Sequence, residues 1–212
     1  MDLIDHLWRD LDRAARTGAR PLQLITHPGT WMVATYRIGR ALRALPRLLR
    51  LPLLCVQRPW EIALGTFTGV TLPPNAEIGG GMELGDGGAI VVSPEAHIGR
   101  DCHISQGVAI IEDGRDGEIG APWVGDRVFI GPGAKVLGPI RVGNDAAIGA
   151  NAVVNRDVPD GATVAGIPAK VVSMRGSKGL RPPGRRRPPL GDLLRGMVRG
   201  YLPRPTQLLL RA

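Results

Sequence analysis

The side chains able to do chemistry are few: four histidines, two cysteines and scattered carboxylates in a chain of 212 residues. Asp86 stands in the run Gly85-Asp86-Gly87-Gly88, with little bulk around it. A carboxylate can take the proton of a hydroxyl, but its ordinary pKa is about 3.9, and a base serving neutral pH works best near 7. Lifting it that far takes roughly 4 kcal/mol of desolvation, which a substrate-filled cleft can supply. His97 and His103 are separated by six residues, which places them at successive corners rather than one above the other, so they form no pair by themselves. A zinc site built from three converging histidines lacks its third member, so no metal is expected. His6 and His27 read as surface or packing residues. Cys55 and Cys102 lie far apart and give no disulfide framework, which points to a reducing compartment, the cytoplasm. Cys102 reads as a small core residue.

The elements that position these residues announce themselves as a period of six. Ile98, Ile104 and Ile110 fall on one step; after a break so do Val124, Ile130, Val136, Val142, Ile148 and Val154. Val92 is in phase, and two residues earlier the series resumes backwards at Ile90, Leu84, Ile78 and Leu72. Glycine often follows the aliphatic (Gly79, Gly85, Gly99, Gly125, Gly131, Gly143, Gly149), and the fifth position is often small (Ala76, Gly88, Ala96, Cys102, Ala134, Ala146, Ala152). Six matches neither the helical period nor simple alternation, so it predicts a solenoid of short strands and tight turns. The aliphatic and the small residue face inward, and the glycine is expected where a positive φ is needed.

This pattern resembles the hexapeptide-repeat acyltransferases. The resemblance implies a mainly β fold, a left-handed parallel β-helix, in which three hexapeptides make one triangular coil. Residues 18 apart then stack roughly 4.8 Å up the axis. Leu84, Ile104, Ile130 and Ile148 stack once two extra residues at 90–91 and eight in a loop are allowed for. Two residues past each lie Asp86, Gln106, Pro132 and Ala150, in one column.

Around that solenoid the chain divides into an α-helical segment (1–70), the β-helix (71–173) and a tail (174–212). Residues 2–17 predict a first helix, with Leu3, Leu7, Trp8, Leu11 and Ala15 on one face. Thr30 opens a second, and Pro46 breaks it. The next stretch, PRLLRLPLLCVQRPWEIALGTF, alternates arginine and leucine; it suits a helix packed on the solenoid or a neighbouring subunit, or a membrane surface. The acidic, interrupted N-terminus is unlike a signal peptide, and no transmembrane helix is expected. Net charge is +8, yet the last 39 residues carry +9, leaving −1 for the rest. That Pro/Arg-rich tail is expected to be disordered with a short amphipathic helix, and to meet an anionic partner or a membrane surface. Aromatics to stack on bases are scarce, so specific nucleic-acid binding is not expected.

The segment HPGTWMVATYRIGRAL, the order of motifs from Ala89 to Val108, the run IGPGAKVLGPIRVGNDAAIGANAVV and the closing AGIPAK (Ala165–Lys170) are similar to the serine O-acetyltransferase family. The resemblance implies transfer of an acetyl group from acetyl-CoA to a small hydroxyl acceptor, L-serine, for cysteine biosynthesis, in a trimer with clefts between subunits. It implies that Gly131, Pro132, Gly149, Ala150, Ala165, Gly166, Pro168 and Lys170 contact the CoA moiety. Asp86 occupies the family's histidine position, and Gly120-Ala121-Pro122 stands where the family has Arg-His-Pro. Asp86, Gln106, His103 and Asp12 are the candidate catalytic residues, Asp12 as counterpart of a substrate-binding aspartate. The loop Ile111–Trp123 carries Glu112, Asp113, Asp116 and Glu118 against Arg115, which favours a neutral or cationic acceptor. Two further readings stand beside serine: acetylation of another hydroxyl, on a sugar or biosynthetic intermediate, or a catalytically silent binding subunit.

Overall fold

A computed structural model describes residues 3–16, 28–85, 88–114 and 119–180. Among these residues three helices lead: α1 (Leu3–Arg16), α2 (Pro28–Arg43) and α3 (Arg47–Thr68). Helix α2 starts two residues before the expected Thr30, because a proline fits the first helical turn, where its missing N–H is not needed. Pro46 separates α2 from α3 as expected. Pro52 and Pro59 lie inside α3, which ends at Gly69 in the left-handed region (φ 69°), its N–H donating to the Gly65 carbonyl at 2.8 Å.

The strands of the described residues form three sheets of a left-handed parallel β-helix. The first holds β1 (Val70–Thr71), β4 (Ile90–Val92), β7 (Ala109–Ile111), β10 (Lys135–Leu137) and β13 (Val153–Val154). The second holds β2 (Glu77–Ile78), β5 (His97–Ile98), β8 (Trp123–Val124) and β11 (Arg141–Val142). The third holds β3 (Glu83–Leu84), β6 (His103–Ile104), β9 (Phe129–Ile130), β12 (Ala147–Ile148), β14 (Thr163–Ala165) and β15 (Lys170–Ser173). Pairings are parallel except that of β15, which turns back antiparallel on β14. Every in-phase aliphatic from Leu72 to Val154 is buried, as are Ala76, Ala96, Cys102, Ala134, Ala146 and Ala152. Each fully buried aliphatic contributes roughly 1.5–3 kcal/mol, so the period of six is also the periodicity of the core.

The glycines after the aliphatics play a different part from the one expected. The positive φ values fall two residues later, at Gly81, Asp101, Gly107, Arg127, Gly133, Asp145 and Asn151. What the corner glycines provide is closeness: a Cβ on Gly99 meets the Gly125 carbonyl at 2.6 Å, and one on Gly131 meets the Ala150 nitrogen at 2.8 Å. Successive coils touch backbone to backbone at these corners, which leaves no room for a methyl group.

The YRIG segment docks the helices on the first coil. The Tyr36 hydroxyl donates to the Ala76 carbonyl (2.7 Å) and accepts from the Ile78 N–H (3.1 Å). The Arg37 guanidinium, 2% exposed, donates to the Ile78 carbonyl (2.6 Å) and to Asp10 (2.9 Å). Asp10 also accepts from the N–H groups of Gly81 (2.6 Å) and Met82 (3.0 Å). A buried ion pair persists when its remaining donors and acceptors are met, as here. At the other end the chain stays on the solenoid past Ser173: Ser177 donates its N–H to the Asp145 carbonyl (2.8 Å) and its hydroxyl to the Arg127 carbonyl (2.7 Å). The basic tail from residue 181 lies outside the described residues.

Candidate functional site

The corner joining the third sheet to the first carries the expected column. Leu84, Ile104, Ile130 and Ile148 are register partners in turn, followed by Val164. One residue on come Gly85, Ser105, Gly131, Gly149 and Ala165; two on come Asp86, Gln106, Pro132, Ala150 and Gly166. Asp86 and Gly87 lie outside the described residues. Gly85, just before them, donates its N–H to the Ile104 carbonyl at 2.8 Å. The side-chain oxygen of Gln106 sits 3.1 Å from where a Cβ on Gly85 would be, so the Gln106 carboxamide leans toward Gly85 on the coil below. Backbone bonds climb the corner: Gly107 N–H to Gly88 carbonyl (3.1 Å), Gly133 N–H to Gln106 carbonyl (2.9 Å), Asn151 N–H to Pro132 carbonyl (2.8 Å).

The outer surface of this corner is low and open. Gln106, Pro132, Ala150 and Gly166 are exposed, while Gly131 is buried against the coil above. At its upper end the AGIPAK turn projects: Gly166 has φ 97°, the Ile167–Pro168 peptide is cis, and Ile167 is exposed. The turn is tied down by the Val153 N–H on the Gly166 carbonyl (3.0 Å) and the Ala169 N–H on the Val153 carbonyl (2.8 Å). Lys170 opens β15 and is exposed. Small, uncharged residues thus form a low ridge parallel to the axis. The acidic loop leaves the first sheet after Ile111 and is pinched at its base, where Asp113 and Gly120 bridge each other. Its Arg115, Asp116 and Glu118 lie outside the described residues.

His103 and His97 are not at corners, as the spacing suggested, but in β6 and β5. The sixth residue of a repeat precedes the inward aliphatic, so strand alternation turns it outward on a flat face. His103 stacks on Phe129 at 5.0 Å, and its Nδ1 lies 3.3 Å from Glu83, which also faces Arg13 of α1 at 3.4 Å. Burial pushes the Glu83 carboxyl up, but the hydrogen bond and charge of His103 and the charge of Arg13 outweigh it and hold it below its usual value. His97 pairs with Glu77 (3.1 Å) and stacks on Trp123, whose ring also carries the Arg141 guanidinium at 4.3 Å. Asp12 is half-buried on α1, the helix over β3. Cys102 is core, its thiol pushed by burial up to about 11. So the structure gathers Gln106 with the glycines and prolines of the corner and sets His103 between Glu83 and Phe129 on the third sheet and Asp12 on α1.

Two residues escaped the sequence reading. Asp10, beside Asp12, is the buried tie of α1; nothing in the local sequence separates the two. Lys135 sits in an outward strand position, yet its Nζ donates to the Gly107 carbonyl at 2.5 Å, beside Gln106.

The chain matches the family model for bacterial transferase hexapeptides (six repeats) over residues 121–156. It is 45% identical over 106 residues to a serine acetyltransferase of Mycobacterium tuberculosis, spanning 46% of that protein. With the serine acetyltransferase of Helicobacter pylori it shares 36% over 159 residues, 71% of this chain and 84% of that one. Among solved structures, the serine acetyltransferase of Neisseria gonorrhoeae in complex with serine superposes with a TM-score of 0.67 at 30% identity, covering 81% of this chain and 69% of that one. The soybean serine acetyltransferase apoenzyme gives 0.68 at 30%, covering 80% and 69%. The chain spans about half of the Mycobacterium relative but 84% of the Helicobacter one at 36% identity, and with the coil register and the corner column it belongs to the serine O-acetyltransferase family of hexapeptide-repeat acyltransferases.

Proposed function

We propose that this protein transfers the acetyl group of acetyl-CoA to the hydroxyl of L-serine, releasing CoA and O-acetyl-L-serine for cysteine biosynthesis. The observation that carries this reading is the 36% identity extending over 84% of the Helicobacter enzyme. The hydroxyl oxygen attacks the thioester carbonyl, a C–O bond forms, the C–S bond breaks and the hydroxyl proton passes to a base. Asp86, in the family's histidine position, is assigned as that base, with Gln106 on the neighbouring rung. His103 and Asp12 are second candidates for contact with the acceptor, from the α1 side. CoA runs along Gly131, Pro132, Gly149 and Ala150 to the Ala165, Gly166, Pro168 and Lys170 turn; the low, uncharged ridge of this corner fits it.

The active form proposed is a homotrimer, with clefts between subunits. Its support is apolar surface left uncovered in one chain: Val91 on the first sheet, and Leu49, Val56, Trp60 and Phe67 on α3, are exposed. No helix among the described residues is long and apolar enough to cross a membrane, and both cysteines are free. A reducing cytoplasm, where acetyl-CoA is made and used, fits both.

The test is CoA release from acetyl-CoA, followed by thiol titration, with and without L-serine. Serine-dependent release that falls at least about 100-fold in Asp86→Ala supports the reading. Release only with sugars or other alcohols favours a different acceptor, a choice the carboxylates Glu112 and Asp113 also suit. CoA binding without any turnover marks a silent binding subunit. Full activity in Asp86→Ala removes Asp86 from the mechanism.

A further inference from the structure

Lys135 is the first residue of β10, on the outer face of the first sheet. A lysine there ordinarily extends into water. This one is half-buried and folds back over the corner to the coil below, where its Nζ meets the Gly107 carbonyl. Its register partner is Ala109, so the ammonium has been drawn from its own rung toward Gln106. An ammonium has three donors, and the Gly107 carbonyl takes one. Of the described residues at this corner, from Gly85 through 88–89, 105–109, 131–135 and 149–153, Lys135 alone carries a charged side chain.

The acceptor read above is a zwitterion. L-serine carries its hydroxyl one carbon from the atom that bears the carboxylate. Placing that hydroxyl at a thioester bound along the corner brings the carboxylate into the same cleft. A carboxylate drawn out of water needs a cation and hydrogen bonds to offset its lost hydration. We infer that Lys135 receives the acceptor's α-carboxylate and selects amino acids with a free carboxyl over amino alcohols and amides. The inference rests on the serine reading. The flexible, compact ammonium serves as a point charge rather than a planar fork, so it can hold Gly107 and one carboxylate oxygen at once.

Kinetics with L-serine and L-serinamide, for the wild type, Lys135→Met and Lys135→Arg, test it. The wild type is expected to prefer L-serine. In Lys135→Met, KM for L-serine rises about 10- to 100-fold and the preference over L-serinamide collapses, while KM for acetyl-CoA stays put. Lys135→Arg keeps most of the preference. An unchanged preference in Lys135→Met, or a rise in the acetyl-CoA KM instead, overturns the inference. If the wild type acetylates neither acceptor, the proposed activity fails, and calorimetric titration of L-serine into the CoA-saturated protein still decides Lys135. Binding lost in Lys135→Met upholds it; binding equal in both proteins, or absent in both, overturns it.

Discussion

Glu83 is the residue on which the helices and the solenoid meet by charge: Arg13 of α1 approaches from above and His103 of the next coil from the side. Its side chain is 16% exposed, so water screens these partners only partly. Because its folded pKa lies below the ordinary value, its stabilisation is complete above about pH 4.3 and disappears as pH falls through the folded value. Glu83→Gln is therefore expected to melt below the wild type at neutral pH, with the gap closing at an acid pH below the ordinary carboxylate range. A gap that persists at that pH means that packing, and not charge, holds the site. At this scale the sequence was only partly legible. The order of repeats located Gln106, but whether Asp10 or Asp12 is the buried partner of Arg37 depends on how α1 lies on the first coil, a tertiary fact. The outward sense of His103 was readable from alternation; its half-burial was not, because Glu83 and Phe129, which flank it, lie on the neighbouring coils.

Elements were the most legible part. A period of six with two measured insertions gave the register Leu84, Ile104, Ile130, Ile148 before any coordinate, because each aliphatic has to meet the one a coil away. The glycines were misread, since their need arises between coils rather than within one. Two substitutions separate the two causes. Gly99→Ala places a methyl 2.6 Å from the Gly125 carbonyl and is expected to cost about 1–3 kcal/mol in urea denaturation. Ala89→Gly relieves an alanine held at φ 60° and is expected to gain up to about 1 kcal/mol. Similar effects at both positions count against backbone crowding as the reason for the corner glycines.

At the scale of the whole molecule, α3 leaves a row of large apolar side chains exposed among the described residues. Leu49, Val56, Trp60 and Phe67 recur at intervals of seven, four and seven and form one apolar stripe, with Leu48 and Ile62 exposed beside it. Stripes of this size on a folded chain mark contact surfaces. In the proposed trimer they are covered, so light scattering is expected to give three times the 22.6 kDa chain mass, and Leu49→Lys with Val56→Lys to shift it toward one chain and lower the melting temperature. A trimer unaltered by both changes leaves the stripe to another partner.

The antiparallel return of β15 has a meaning beyond the turn it closes. A stack of identical triangular coils has no intrinsic length: its last rung offers unpaired N–H and C=O groups to any other stack of the same cross-section. By laying one strand backwards across that rung, the chain presents a direction that the next coil cannot match. The helices docked by Tyr36 and Arg37 cover the opposite end. At the end of the third sheet, a reversal of a few residues thus sets an edge that a further parallel coil does not match.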